Sequence, residues 1–252
     1  MKKILVLILF AWHISFVFAQ FKLNDTTFLV REVIDSATML KKTGFGYNYY
    51  HAIYFERNKN AKEYKWITDF SFDKFYGKQE YQRDIKSLKM ILHKRLKRIS
   101  MKELPTKWCT LYSLKDTFYV YSPSEYCWNY QFTITDSVVI DKSCEPTFSA
   151  IDTIIKKSKT LYQLKVKSIN YLSTHNEIFN RIINIYIIDK QKGIAVFEDD
   201  YSGKKKYSLM VEASRVNSFP LIVNYCKTDK QFEEFEFDKI DYSSLIKKSQ
   251  FQ

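Results

Sequence analysis

Short runs of alternating hydrophobic and polar residues fill the second half of the chain, and turn residues separate one run from the next. The run from Cys109 to Leu114, for example, is followed by Lys115-Asp116 and then by a second run from Thr117 to Tyr121. Runs of this length between turns predict an antiparallel β-sandwich or barrel. The predicted strands are 109–114, 117–121, 128–134, 138–140, 148–155, 161–166, 182–188, 194–197, 207–211 and 221–223.

The period of the pattern changes between Gln79 and Ser100. Apolar side chains recur there at steps of three and four residues, which is one face of an α-helix. The sequence therefore predicts one amphipathic helix over about 79–100, and Pro105 prevents its continuation. The apolar stripe is Tyr81, Ile85, Leu88, Leu92, Leu96 and Ile99; the basic end of the helix carries Lys94, Arg95, Lys97 and Arg98.

The remaining segments complete a fold that is predicted to be mainly β (α+β). Residues 28–30 and 47–55 are predicted strands, 63–75 a strand pair, and the alternating Phe and Glu of 232–237 an edge strand or a tail packed along the barrel. We expect an antiparallel meander barrel or sandwich, preceded by a strand-rich segment and the single helix. The predicted division is a signal peptide 1–19, a strand-and-helix region 20–106, a β-meander domain 107–226 and a C-terminal tail 227–252 packing on that domain.

One hairpin of the meander can be placed in register. A three-residue loop, Thr135–Ser137, sets Ile134 opposite Val138 and Phe132 opposite Ile140, so that apolar residues share a face. A two-residue loop would bring Cys127 opposite Cys144 but turns the apolar residues of the second strand to the wrong side. A slip of one residue reverses every side chain, so the apolar pattern favours the three-residue loop.

The first residues have the three parts of a secretory signal peptide. Lys2 and Lys3 precede an apolar run, and Val17 and Ala19 supply the small residues before a cleavage site. We expect an exported protein, periplasmic or secreted, of a Gram-negative bacterium; a retained anchor is the alternative. No later stretch is apolar enough to cross a bilayer.

Export makes the four cysteines candidate disulfide partners. Cys109, Cys127, Cys144 and Cys226 have no C-x-x-C spacing, so a zinc knuckle or redox motif is not expected. Cys127–Cys144 and Cys109–Cys226 are the two pairings considered, and buried thiols are the alternative. The second pairing would close a long loop across the meander.

The chain is basic, with a formal net charge of +12, and 17% of its residues are aromatic. Outside the cell such a charge favours an anionic envelope component over nucleic acid, which is not an expected partner. The basic end of the helix, Lys94, Arg95, Lys97 and Arg98, is the candidate contact for an anionic surface. The competing interpretation is that the helix packs its apolar stripe on the sheet while its lysines face water.

No catalytic motif is present. The sequence has no G-x-S-x-G, Walker or dinucleotide-binding loop, and His51, His93 and His175 stand apart without metal-binding spacing, so no metal or cofactor is expected. The acidic cluster Glu198-Asp199-Asp200 lacks the spacing of a calcium loop and is interpreted as a polar hairpin turn.

The pair Lys107-Trp108 at the start of the meander resembles the first strand of lipocalin-like barrels, where a Trp closes the barrel floor. The resemblance covers about 108–223, although Thr106 stands where that family has glycine. It implies an antiparallel barrel with a ligand-holding interior, and it transfers no binding residue to this chain.

These observations lead to an exported, non-enzymatic binding protein for an apolar small molecule or a glycan, held in the barrel or on its surface. The first alternative is an envelope-associated interaction protein that uses the basic helix or a sheet edge. The second is a hydrolase whose carboxylates are scattered in the sequence.

Overall fold

Thirteen strands form two sheets in the computed structural model, which describes residues 28–33, 49–71, 78–93, 95–101, 103–125, 127, 129–143, 146–170, 177–201, 203–226 and 234–250. The strands are β1 Phe28–Val33, β2 Tyr49–Glu56, β3 Lys107–Thr110, β4 Tyr112–Leu114, β5 Thr117–Ser122, β6 Gln131–Ile134, β7 Val138–Lys142, β8 Thr147–Lys156, β9 Leu161–Asn170, β10 Glu177–Asp189, β11 Ile194–Tyr201, β12 Lys204–Glu212 and β13 Leu221–Cys226. The helices are α1 Lys62–Ile67, α2 Lys78–Ile91, α3 Tyr242–Gln250 and a 3-10 helix, Ala213–Ser218.

Eight of the strands close into an antiparallel barrel in the order β3, β6, β7, β8, β9, β10, β11, β12, with β12 pairing back to β3. From β6 to β12 each strand pairs with its neighbour in the chain. The prediction of a mainly β protein with an antiparallel meander barrel is confirmed.

Side chains fill the middle of the barrel. The rings of Trp108 and Phe132 each meet the ring of Phe197 edge to face at 5.2 Å, and Ile185 and Met210 have no exposed surface. The interior is therefore a packed core, as expected for a barrel of this strand number. The open interior that the lipocalin resemblance implied is not found in the central part of this barrel.

The second sheet has the order β1-β2-β13-β5-β4 and packs against the outside of the barrel. Its β5 and β13 are parallel, whereas its other neighbours are antiparallel. The β4–β5 hairpin turns at Lys115 and Asp116, whose φ angles are 49° and 59°, as a two-residue type I′ turn requires. This hairpin confirms the turn predicted there.

The long helix is shorter than predicted. It ends at Ile91 rather than near Ser100, and His93 follows with a φ of 49°. Apolar residues on both sides of this break pack together on β7 and β8, so the stripe continues although the helix does not. Further on, the Ile99 amide donates to the Asp136 carbonyl at 2.7 Å, and the chain runs across one end of the barrel.

Two other local predictions were wrong. Residues 62–67 form a helix rather than a strand, because Tyr64 and Ile67, three residues apart, both reach the core between the barrel and the second sheet. In the β6–β7 hairpin Ile134 pairs with Val139 instead of Val138, so the register is shifted by one residue from the predicted one. The apolar pattern misled because β7 is buried on both faces, with Val139 facing the interior and Val138 facing α2.

The described part of the C-terminal region packs as a tail. Phe235 and Phe237 cover the outer face of the second sheet, and a single bridge joins Asp238 to Ser113. The segment is therefore not an edge strand, and it lies on the second sheet rather than on the barrel. Helix α3 then packs near β10 and β11, and its Tyr242 stacks on Tyr207 of β12 with the ring centres 5.5 Å apart.

Candidate functional site

A pocket of about 560 Å³ lies at one end of the barrel. This end, which we call the Trp108 mouth, is where β3 begins and where the β8–β9 turn (157–160) and the β10–β11 turn (190–193) lie. Trp108, Tyr162 and Ile187 form its inner wall. Two other pockets, of about 390 and 520 Å³, lie along the second sheet and beside the C-terminal segment, and both are more open to solvent.

The inner wall is built from the last inward-facing positions of the barrel strands. Tyr162 opens β9 and Ile187 lies near the end of β10, where its amide donates to the Thr160 carbonyl at 2.7 Å. Trp108 is only 1% exposed, and its indole N–H donates to the Pro105 carbonyl at 2.8 Å. The inner end of the pocket therefore lies against the packed core of the barrel, and its surface there is aromatic and aliphatic.

Four basic side chains surround this apolar wall, together with two carboxylates. Lys156 pairs with Glu103 and lies over the Tyr162 ring, 5.7 Å from its centre. The hydrogen bond to Glu103 raises the pKa of Lys156, and the same bond lowers the pKa of Glu103. The lining cations are Lys156, Lys159, Lys190 and Arg215; the carboxylates are Glu103 and Glu212.

Three of the four cations carry no such partner. Within the described ranges, the side chains of Lys159, Lys190 and Arg215 form no ion pair and no hydrogen bond. Glu212 instead accepts a hydrogen bond from the Ser214 hydroxyl at 2.6 Å. Positive charge at the Trp108 mouth is therefore only partly neutralised by the protein itself.

Gly193 explains how Arg215 approaches the β10–β11 turn. Its φ is +67°, and a Cβ added there would stand 3.0 Å from Arg215 Cγ and 3.1 Å from Glu212 Cβ. The Gly193 carbonyl also accepts a hydrogen bond from the Glu212 amide at 2.8 Å. A residue without a side chain thus lets the 3-10 helix pack closely on the turn.

Near the opposite mouth, Arg181 holds two carboxylates inside the barrel. Its guanidinium donates to Asp141 at 2.6 and 3.0 Å and to Asp199 at 2.7 and 2.5 Å, while the Tyr130 hydroxyl donates to Asp141 at 2.6 Å. Burial disfavours the charge, but the two carboxylates outweigh it and raise the pKa of Arg181. Burial, reinforced by Asp141, raises the pKa of Tyr130.

The acidic cluster predicted as a hairpin turn lies instead in strand β11. Asp199 belongs to the Arg181 network, Glu198 accepts hydrogen bonds from Asn184 and Tyr207, and Asp200 accepts one from the Gly203 amide. In the parts of the chain that the structure covers, no group of three or more His, Cys, Asp or Glu side chains is placed to hold a metal.

This network gives no support to the hydrolase alternative. Glycoside hydrolysis needs two carboxylates with room for a substrate bond between them. Between Asp141 and Asp199 lies the Arg181 guanidinium, which bonds to both. These two side chains are therefore arranged as an ion-pair network rather than as an acid–base pair.

The predicted Cys109–Cys226 disulfide is wrong. Neither cysteine forms a disulfide; Cys109 is buried on the outer face of β3, and its Sγ lies 3.5 Å from the Ile67 carbonyl. Burial raises the pKa of the Cys109 thiol to about 12. Cys127 is not a free thiol, but Cys144 lies outside the described residues, so the Cys127–Cys144 pairing stays a prediction.

The three predicted anionic-surface contacts that the structure describes do not lie on a helix. Arg95, Lys97 and Arg98 lie in the irregular segment after α2 and are exposed, whereas Lys94 lies outside the described residues. Arg98 pairs with Asp136 at 3.7 Å. The stripe of α2 packs on the barrel through Leu88, as the competing interpretation expected. Binding of these cations to an envelope component stays a prediction.

The two described histidines have different settings. His51 is buried in the second sheet, where its Nε2 lies 2.9 Å from Asn224 Oδ1, and His93 is exposed after α2. His175 and the predicted signal peptide 1–19 lie outside the described residues. None of the helices in the described ranges combines the length and the apolar character needed to cross a membrane.

Comparison of the chain with known protein families, curated proteins and solved structures finds no match. What stands of the lipocalin resemblance is the closed, eight-stranded antiparallel barrel itself. The pocket was not predicted from the sequence, because its residues come from five strands, two turns, one irregular segment and the 3-10 helix.

Proposed function

We propose that this chain is a non-enzymatic binding protein that holds a small molecule with an apolar portion at the Trp108 mouth. The pocket is the observation that carries the proposal. Its volume of about 560 Å³ falls within the range of roughly 300–1,000 Å³ that is usual for small-molecule sites. It also combines an apolar wall with a few polar groups, which is the usual composition of such sites.

The packing of the barrel determines where a ligand would bind. Because Trp108, Phe132 and Phe197 fill the centre, the ligand would rest on the core rather than inside it. Tyr162 and Ile187 offer it an apolar edge. A flat sugar ring is the less favoured ligand, since Trp108 is almost completely buried and Lys156 lies over the largely buried ring of Tyr162, which leaves little aromatic face for stacking. With its predicted signal peptide removed, the protein would bind this ligand in the periplasm or outside the cell.

Fluorescence of the neutral probe N-phenyl-1-naphthylamine tests the proposal. The wild-type protein should bind the probe, and Ile187→Trp should weaken binding at least tenfold by filling the pocket. Ile178→Trp is the matched control, because Ile178 belongs to the same strand but is 44% exposed at the far end. Its affinity should stay within twofold of wild type. Thermal melts of both variants show that each is folded. Equal binding by the two folded variants, or none by the wild type, would overturn the proposal.

A further inference from the structure

We infer that the ligand of the Trp108 mouth is a small anionic amphiphile: a molecule with an apolar body and one carboxylate, sulfonate or phosphate group. This inference rests on the proposed function and adds the charge of the ligand. It is carried by Lys159, Lys190 and Arg215, three cations around one pocket whose side chains form no ion pair and no hydrogen bond with any described residue.

The charges of the pocket do not cancel. Glu103 forms an ion pair with Lys156 and also interacts with the charge of Lys190. Glu212 is then the one lining carboxylate left against Lys159, Lys190 and Arg215. Like charges that share a rim repel one another, and an anion bound among them would relieve this repulsion.

The three cations come from separate parts of the chain. Lys159 belongs to the β8–β9 turn, Lys190 to the β10–β11 turn and Arg215 to the 3-10 helix after β12. In an antiparallel meander alternate turns lie at the same end of the sheet, so the fold brings these elements together. The close packing at Gly193 holds Arg215 against the second of the two turns.

The order of surfaces in the pocket suits an amphiphile in one orientation. Tyr162 and Ile187 lie toward the core, whereas Lys159, Lys190 and Arg215 are exposed at the rim. Long basic side chains keep their charged ends in water while their stems cover apolar surface. The apolar body would therefore point inward, with its anionic group at the rim.

The opposite mouth offers no comparable anion site through its inward-facing cation. Arg181 is already bonded to both Asp141 and Asp199, and its side chain is only 10% exposed. An added anion there would meet two carboxylates and one cation. Among the described residues, Arg181 therefore gives the opposite mouth no anion site like that of the Trp108 mouth.

A matched pair of probes separates charge from apolar contact. N-phenyl-1-naphthylamine is neutral, and 8-anilinonaphthalene-1-sulfonate is the same skeleton with one sulfonate. We expect the wild-type protein to bind the sulfonate at least tenfold more tightly than the neutral probe at low salt. This difference should shrink at about 1 M salt, where the Debye length is only roughly 3 Å.

Charge-removing variants locate the effect. The triple variant K159Q/K190Q/R215Q should lose at least tenfold in affinity for the sulfonate while its affinity for the neutral probe stays within twofold. The control K165Q/K204Q/K206Q removes three exposed lysines away from the Trp108 mouth and should leave both affinities unchanged. Equal effects of the two triple variants would overturn the inference, because net charge alone would then explain them.

The two proposals fail in different ways. If the wild type binds both probes with equal affinity, and Ile187→Trp abolishes both, the pocket is real but the inference about charge is wrong. If the wild type binds neither probe, the proposed function is wrong and the inference falls with it. If K159Q/K190Q/R215Q weakens the neutral probe as strongly as the sulfonate, the three cations shape the pocket instead of recognising an anion, which also overturns the inference.

Discussion

Replacing Arg181 by methionine tests whether the ion-pair network inside the barrel stabilises the fold. Arg181 donates four hydrogen bonds of 2.5–3.0 Å to Asp141 and Asp199. The side chains are 10% exposed for Arg181, 14% for Asp141 and 26% for Asp199. Methionine keeps much of the apolar stem but removes the charge, so two carboxylates would remain inside the barrel without a cation.

The expected loss of stability follows from this burial. Removing one partner of a buried ion pair costs about 3–5 kcal/mol, since the remaining charge is neither solvated nor paired. The greater exposure of Asp199 allows water to reach one carboxylate, so we expect a value near the lower end, about 3 kcal/mol.

Urea unfolding followed by circular dichroism at pH 7 measures this loss. Arg83→Met is the matched control, because Arg83 pairs with Asp84 but is 67% exposed, and exposed pairs contribute little. Adding Asp141→Asn and Asp199→Asn to Arg181→Met should restore much of the lost stability by removing the unpaired charges. A loss below about 1 kcal/mol for Arg181→Met, against the 3–5 kcal/mol that such a deletion normally costs, would refute the reasoning. So would a triple variant as unstable as the single one.

Two further predictions concern the β4–β5 turn and two buried groups of the core, the Cys109 thiol and the Tyr64 hydroxyl. Replacing Lys115-Asp116 by Asn-Gly should stabilise the protein by about 0.5–1 kcal/mol in urea unfolding, because both positions have positive φ; lower stability would contradict this. Burial raises the pKa of Cys109 and of Tyr64 to about 12. Both pKa values are higher in the folded state than in the unfolded state, so the stability of the fold that depends on these two groups being protonated is fully present below about pH 9. The free energy of unfolding should then fall as the pH rises toward 12. A urea midpoint that stays constant over that range would contradict this.

The sequence predicted hairpins well where turn chemistry and strand alternation agree. The β4–β5 hairpin is the clearest case, because Lys115 and Asp116 are polar and stand between two apolar runs. Side-chain alternation in strands has a period of two, and a turn of two residues leaves little freedom in pairing. Local pattern and tertiary structure give the same answer there.

The end of the long helix shows where a local pattern is insufficient. Leu92 and Leu96 continue the helical spacing, and both reach the same apolar cluster on β7 and β8. The chain nevertheless leaves the helix at Ile91 and crosses the end of the barrel. An apolar residue in such a pattern indicates that its side chain is buried. It does not indicate whether a helix or an extended segment brings that side chain to the core.

Burial on two faces explains the wrong register of β6 and β7. Alternation identifies the inward face of a strand only if the other face meets water. Here α2 covers the outside of β7, so Val138 and Val139 are both buried and either could have faced the interior. The strand could be predicted from the sequence, but its pairing depended on a helix that lies about fifty residues earlier in the chain.

The basic rim of the Trp108 mouth is the part of the site that the strand order could have indicated. Once the meander is assumed, the turns at 157–160 and 190–193 must lie at one end of the barrel, and both contain lysines. The inner wall gave no such signal, because Tyr162 and Ile187 occupy ordinary inward positions of their strands. Whether a core position borders a pocket depends on how the chain closes the barrel end, and at this mouth the segment around Glu103 and the 3-10 helix with Arg215 decide it. Neither segment has a repeating pattern, so the sequence could indicate the two turns that carry Lys159 and Lys190 but not the segments that complete the pocket.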